Sequence, residues 1–213
     1  MANVASVQSV VLAVAARLGE SRELLNRLDG TAGDGDLGVT AGRAAEALIE
    51  LAPTLDGLAR NEALKAIGMA LARNAPSTGG TLIAFACLAA ARVDSDVGED
   101  RRAAVAAHLD AARDEIARRG KVGPGDRTML DALDPAAAAF REAADSGRDL
   151  GGCLVAAAAA ADAGATATTG MEPTTGRAAW LADRARGHED AGARLVAIVF
   201  EAVSGAVPSI AEG

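Results

Sequence analysis

Three aspartates, Asp29, Asp34 and Asp36, and four glycines fall within residues 28–40, LDGTAGDGDLGVT. The rest of the chain is built largely from alanine and leucine. Carboxylates on one glycine-rich turn can be brought to a single point, where they repel one another unless a cation joins them. Mg²⁺ takes hard oxygen ligands, keeps several waters, and is usually held by a few carboxylates together with substrate phosphates. Glycines let the backbone approach phosphate oxygens, and the helix that follows would offer its N-terminal N–H groups to an anion. A solvated Gly/Asp turn is the plain alternative, since such sequences form turns readily. The loop alone leaves both readings open.

Other motifs are excluded by context. Gly33, Gly35 and Gly38 satisfy G-x-G-x-x-G by letter, but that motif follows a strand, and RELLNRL upstream reads as a helix. An EF-hand starting at Asp34 needs glycine at its sixth position and glutamate at its twelfth; the chain has Val39 and Ala45 there. No Walker A pattern occurs.

The elements that must position these residues are helical. Of 213 residues, 50% are apolar and 2% aromatic, with no Tyr, so small side chains must fill the interior. Alanine, leucine, glutamate and arginine all favour the helix. Val7, Val10, Val11, Val14 and Leu18 form a stripe at spacings of three and four. Ser21 is placed as the N-cap of a second, short helix through Leu28. A third is expected from about Thr40 until Pro53 stops it. Further helices are expected over about 60–73 and 80–92, then one through Val105, Leu109, Ala112 and Ile116. Residues 120–126, GKVGPGD, form a loop. Asp134-Pro135 reads as an N-cap with proline at the first helical position. An alanine-rich helix over about 150–164, a short one after Gly176 and a last one capped by Asp190 complete an all-α domain spanning residues 1–213. No β-alternation and no internal repeat appear.

The net charge of −8 argues against nucleic acid, whose phosphates need clustered Lys and Arg. An anionic ligand here would need metal ions, helix N-termini or a local basic group. Cys87 and Cys153 lie in apolar surroundings without metal-ligand spacing and are expected as buried free thiols. The longest apolar run, residues 154–161, is short of the roughly 18 residues of a membrane span. With no basic, hydrophobic leader at the N-terminus, the expected location is cytoplasmic, with no membrane partner.

GDGDLGVT, GDRTMLDAL, GMEPTTGRAAWL and GHEDAGA occur in the order, and at roughly the separations, of the motifs of the nucleotide-binding L subunit of dihydroxyacetone kinases. The chain resembles that DhaL-type family from end to end. The resemblance implies a barrel of eight antiparallel amphipathic helices with a nucleotide, ADP or ATP, at one mouth. It implies that Asp29, Asp34 and Asp36 hold two Mg²⁺ ions bridging the nucleotide phosphates. Leu37, Gly38, Val39 and Thr40 would lie along those phosphates, and Ser77, Thr78 and Gly79 of PSTGG would add contacts. Gly120 and Met129 would border adenine and ribose, while Arg177, Asp190, Ala191 and Gly192 would close the pocket.

The implied activity is Mg-dependent phosphoryl transfer to a small hydroxyketone, dihydroxyacetone or another ketose such as erythrulose. A separate K subunit would hold that substrate. Other expected partners are a phosphotransferase-system protein as phosphoryl donor and a second copy of the chain. A nucleotide-loaded regulatory module without catalysis is the alternative. Departures from the family pattern are Leu37 where GDGDHG has histidine, Arg127 where lysine is usual, and Ala191 for the proline of DPGA. PSTGGT differs from the common GGASGP. Thr128 and Asp131 suit a helix start, and His108 and His188 are expected to be solvated and without a catalytic part.

Overall fold

The computed structural model describes residues 6–93, 100–174, 179 and 182–208. Among them are ten α-helices and no strand: α1 (Val7–Glu20), α2 (Arg22–Ala32), α3 (Leu37–Leu51), α4 (Arg60–Asn74), α5 (Thr78–Ala90), α6 (Arg101–Gly120), α7 (Leu130–Asp145), α8 (Leu150–Ala167), α9 (Ala182–Ala185) and α10 (Ala191–Ala206). Eight of them close a ring: α1 packs on α3, then α3 on α4, α4 on α5, α5 on α6, α6 on α7, α7 on α8, α8 on α10, and α10 back on α1. This is the eight-helix barrel that the resemblance implied. Helices α2 and α9 lie outside the ring and pack on each other, with α2 also held by α3 and α10.

Apolar faces at helical spacing produce the ring. One buried cluster joins Val11, Ala15 and Leu18 of α1 to Leu25, Ala41, Ala45, Leu48, Leu71 and Ile198. A second joins Ile116, Leu130, Leu133, Phe140, Cys153, Leu154 and Phe200. Helices α5 and α10 contribute to both. Ala157, Ala161 and Ala165 repeat every fourth position of α8 and have 0% exposure, so α8 meets its neighbours almost backbone to backbone. Gly164 marks the closest point, where a Cβ would overlap the Asp131 carbonyl of α7. Helix α8 with its following 3-10 turn, Leu150–Gly170, is long and apolar enough to cross a membrane. Its alanine row is nevertheless buried against α7 and α10 as a core helix of the ring.

Several expected boundaries move. Helix α2 runs on to Ala32 and takes Asp29 into its last turn. Helix α3 begins at Leu37 with Asp36 as N-cap, not near Thr40. Pro135 sits inside α7 and not at a helix start; Asp134 does not cap but faces Arg113 at 3.7 Å. Helix α8 extends to Ala167. The helix expected after Gly176 falls largely outside the described residues, and only α9 is seen.

His108 is not solvated. It is 6% exposed, and its Nδ1 lies 3.0 Å from the Ala90 carbonyl. A carbonyl only accepts, so Nδ1 carries the proton, and burial lowers the imidazole pKa from its ordinary value. His188 is exposed as expected. Cys153 is buried and Cys87 half-buried, both as free thiols, and burial pushes the Cys87 thiol up to about 11.

Candidate functional site

One end of the ring is where alternate helices begin. Helices α3, α5 and α10 open there at Leu37, Thr78 and Ala191, and α7 opens just after Met129. Leu37, Ser77, Thr78, Gly79, Thr128, Met129, Asp190, Ala191 and Gly192 line one cleft of about 650 Å³ together with Asp29, Asp34 and Asp36. Gly120, the last residue of α6, joins them. Each helix start carries partial positive charge, so four of them offset locally the −8 of the whole chain. The volume lies within the range of small-molecule sites.

At the head of the cleft the three aspartates converge. One carboxylate oxygen of each lies within 4.8 Å of the other two. Asp29 comes from α2, while Asp34 and Asp36 come from the four-residue link Gly33–Asp36 between α2 and α3. A Cβ on Gly33 would overlap Asp29 Oδ1 and displace that carboxylate. Gly35 has φ +76, the left-handed region that glycine enters without strain. Three hard anionic oxygens and no imidazole or thiolate form a donor set suited to Mg²⁺.

The start of α3 is occupied by groups from α2. Asp29 Oδ2 accepts the N–H groups of Asp36 and Leu37 at 2.9 and 3.3 Å. Asn26 Oδ1 accepts those of Gly38 and Val39 at 2.7 and 3.2 Å, and Thr40 N–H bonds the Asp36 carbonyl at 3.0 Å. Thus Leu37 lines the cleft while Gly38, Val39 and Thr40 do not. Gly38 and Thr40 are buried, and Val39 is exposed.

The opposite wall is the start of α5. Ser77 is its N-cap, accepting the Gly80 N–H at 3.0 Å. Gly79 sits between two side chains: a Cβ there would lie 3.8 Å from Leu37 Cδ1 and 3.9 Å from Met129 Cε. Gly192 packs on Met129 from the α10 side. Leu37, Gly79, Met129 and Gly192 therefore form a continuous apolar floor. Asp190 caps α10, accepting the Ala193 N–H at 2.8 Å. Burial raises its carboxyl to about 6, against the lowering effects of that N–H and of Arg127. Arg177 lies outside the described residues.

Two residues invisible as site components in the sequence hold this frame. Asp131 accepts the Gly125 N–H at 2.5 Å and the Thr128 N–H at 2.6 Å, fixing the loop ahead of α7 beyond any capping of its own helix. Arg127 is 3% exposed with φ +60. It donates through Nε to the Thr168 carbonyl at 3.2 Å, and through Nη2 to those of Ala185 and His188, each at 2.8 Å. It ties the α7 loop to the end of α8 and to the α9–α10 link. A further tie runs from Arg184 of α9 to the Gly30 carbonyl of α2 at 3.1 Å.

Comparison with known proteins fits this geometry. Residues 31–205 match the model of the DAK2 domain. The chain is 33% identical over 203 residues to the D-erythrulose kinase of Mycolicibacterium smegmatis, covering 94% of this chain and 35% of that protein. It is 29% identical over 184 residues to the ADP-binding subunit DhaL of the PEP-dependent dihydroxyacetone kinase of Escherichia coli, covering 84% of this chain and 85% of that one. The crystal structure of the C. freundii dihydroxyacetone kinase in complex with AMP-PNP and Mg²⁺ superimposes with a TM-score of 0.70 at 29% identity, over 93% of this chain and 33% of that one. The chain thus spans about a third of the longer relatives that it matches. With its family motifs, closed helical ring and acidic cleft, the chain belongs to the DAK2 domain family.

Proposed function

We propose that residues 1–213 form one domain, the nucleotide-binding part of a kinase that phosphorylates a short hydroxyketone. In this reading Asp29, Asp34 and Asp36 hold Mg²⁺, two ions as the resemblance implies, against the terminal phosphates of ADP or ATP. Ser77, Thr78 and Gly79 face the phosphates from the start of α5. The base and ribose lie toward Gly120 and Met129, over the floor made with Gly192, and Asp190, Ala191 and Arg177 border the pocket. The observation that carries the proposal is the convergence of three carboxylates at the head of a cleft into which helix N-termini open. An anionic ligand is repelled by the first feature and attracted by the second, and a metal-bound phosphate satisfies both.

Phosphoryl transfer depends on positioning and charge neutralisation more than on covalent chemistry. Bound Mg²⁺ would supply neutralisation of phosphate charge. The chain's own groups orient the phosphates and hold the base on an apolar floor. The hydroxyketone is held elsewhere, on a K subunit or K-type domain. Relatives named for erythrulose and for dihydroxyacetone both support the substrate class of short ketoses.

Calorimetric titration of the purified chain with ADP tests the nucleotide site. Binding in Mg²⁺ that is lost in EDTA is expected, and equal affinity in both would refute it. Mixing with a K subunit, ATP and each ketose then reads the activity. Product from neither ketose would favour the regulatory module. The phosphoryl donor is read from dialysis: ADP that stays bound points to a phosphotransferase-system protein, and rapid exchange points to ATP.

A further inference from the structure

We infer that Asn26 is a positioning residue for the metal site, acting through the start of α3; this rests on the Mg-nucleotide reading above. Asn26 and Asp29 stand three residues apart on α2 and so share one face of it. Between them they accept four consecutive backbone N–H groups, those of Asp36, Leu37, Gly38 and Val39. The division of labour matters. Asn26 takes Gly38 and Val39, so Asp29 serves only the other two, through Oδ2, and one of its oxygens lies within 4.8 Å of one from each of Asp34 and Asp36.

The helix crossing leaves little slack in this arrangement. A Cβ on Gly38 would overlap the Arg22 carbonyl and crowd Asn26 Oδ1 at 2.6 Å. The α3 backbone therefore lies directly on α2, and the Asn26 amide sets how it is rotated there. Asp36 is the N-cap of that same helix. The approach of Asp29 to Asp36 at the start of the other helix is thus set by two contacts: their own hydrogen bond and the Asn26 amide, which is not itself part of the carboxylate cluster. Without it, two first-turn N–H groups lose their acceptor, and Asp29 is the carboxylate that already serves the two N–H groups before them. Drawing Asp29 along α3 toward Gly38 would take an oxygen away from a bound cation.

The test is the Mg²⁺ concentration that gives half-maximal ADP binding, measured by calorimetry on the full chain. For Asn26→Ala it rises roughly five- to tenfold, the equivalent of one lost helix cap. In EDTA neither parent nor variant binds ADP. Asn26→Asp, which keeps an acceptor at the same reach, restores the midpoint to within about threefold. A role confined to stability would lower the melting temperature of Asn26→Ala without moving the Mg²⁺ midpoint, and that result overturns the inference. Asp36→Ala serves as the control. If it loses Mg²⁺-dependent binding while Asn26→Ala does not, the positioning role alone is refuted. If neither variant changes, the Mg-nucleotide reading has failed and takes this role with it. Should Asn26→Ala not fold, Asn26→Gln displaces the same carbonyl by one methylene and is read in the same way.

Discussion

The guanidinium of Arg127 donates a 2.8 Å hydrogen bond to the backbone carbonyl of His188, 61 residues further along the chain. With its bonds to Thr168 and Ala185, this buried cation satisfies carbonyls on three segments around one end of the ring. Arg127→Met removes three charge-assisted bonds; the Thr168 and Ala185 carbonyls keep the N–H groups of Met171 and His188, while the His188 carbonyl loses its Arg127 donor, a cost of about 3 kcal/mol in all. The expected fall in melting temperature is roughly 6–12 °C for a chain of this size. Arg127→Lys keeps the charge but cannot span both directions with one ammonium, so its fall is smaller. Thermal denaturation of the two variants checks the order.

Gly38, buried at the start of α3, and Gly79, which lines the cleft, should respond oppositely to the same change. Gly38→Ala drives a methyl into the Arg22 carbonyl and is expected to destabilise by about 2 kcal/mol. Gly79→Ala places its methyl at ordinary contact distance from Leu37 and Met129, with stability unchanged or raised by a few tenths of a kcal/mol. The same methyl projects into the floor of the cleft, so ADP affinity falls several-fold, by about 1 kcal/mol. Denaturant titration and calorimetry together separate the two glycines.

Asp36→Ala removes one of three converging carboxylates and the N-cap residue of α3. Mg²⁺-dependent ADP binding is expected to disappear while the far-ultraviolet circular dichroism keeps its helical form. Unchanged ADP affinity in Mg²⁺ would contradict the metal assignment.

Burial raises the carboxyl of Asp190 from 3.8 to about 6. The sign follows from which state binds more protons. Between these values the folded chain holds a proton that the unfolded chain has lost, so this group's contribution is fully present below pH 4 and is lost as pH rises through 6. The rise from 3.8 to about 6 corresponds to at most about 3 kcal/mol. Asp190→Asn keeps a good N-cap for α10 and cannot ionise. Its stability relative to the parent should therefore rise between about pH 4 and pH 6 in nucleotide-free protein. A difference that stays flat across that window would contradict the buried carboxyl.

What the sequence made legible was whatever depends on residue type and short spacing. The stripe through Val11 and Leu18, the cap Asp190, and the clustering of Asp29, Asp34 and Asp36 all follow from local pattern. The closed ring and most cleft residues came from the longer motifs. Local signals also misled where tertiary contacts decide: Asp134-Pro135 has the letters of a helix start, yet α7 begins earlier, where Thr128 and Asp131 organise the loop. His108 reads as solvated because a lone histidine carries no mark of the carbonyl that buries it. Asn26 and Arg127 escaped for a related reason. Their partners are backbone groups 12 to 61 residues away, and a backbone group has no signature in a sequence.

The contact of Gly164 with the Asp131 carbonyl bears on any attempt to redesign the pocket. That seam joins α8 to the residue whose carboxylate holds Gly125 and Thr128, so a side chain wedged into it acts as a lever on the cleft rim from outside the cleft. Libraries aimed at a new nucleotide should leave the α7–α8 seam untouched and diversify the apolar floor at Gly79, where an added methyl meets side chains and no backbone.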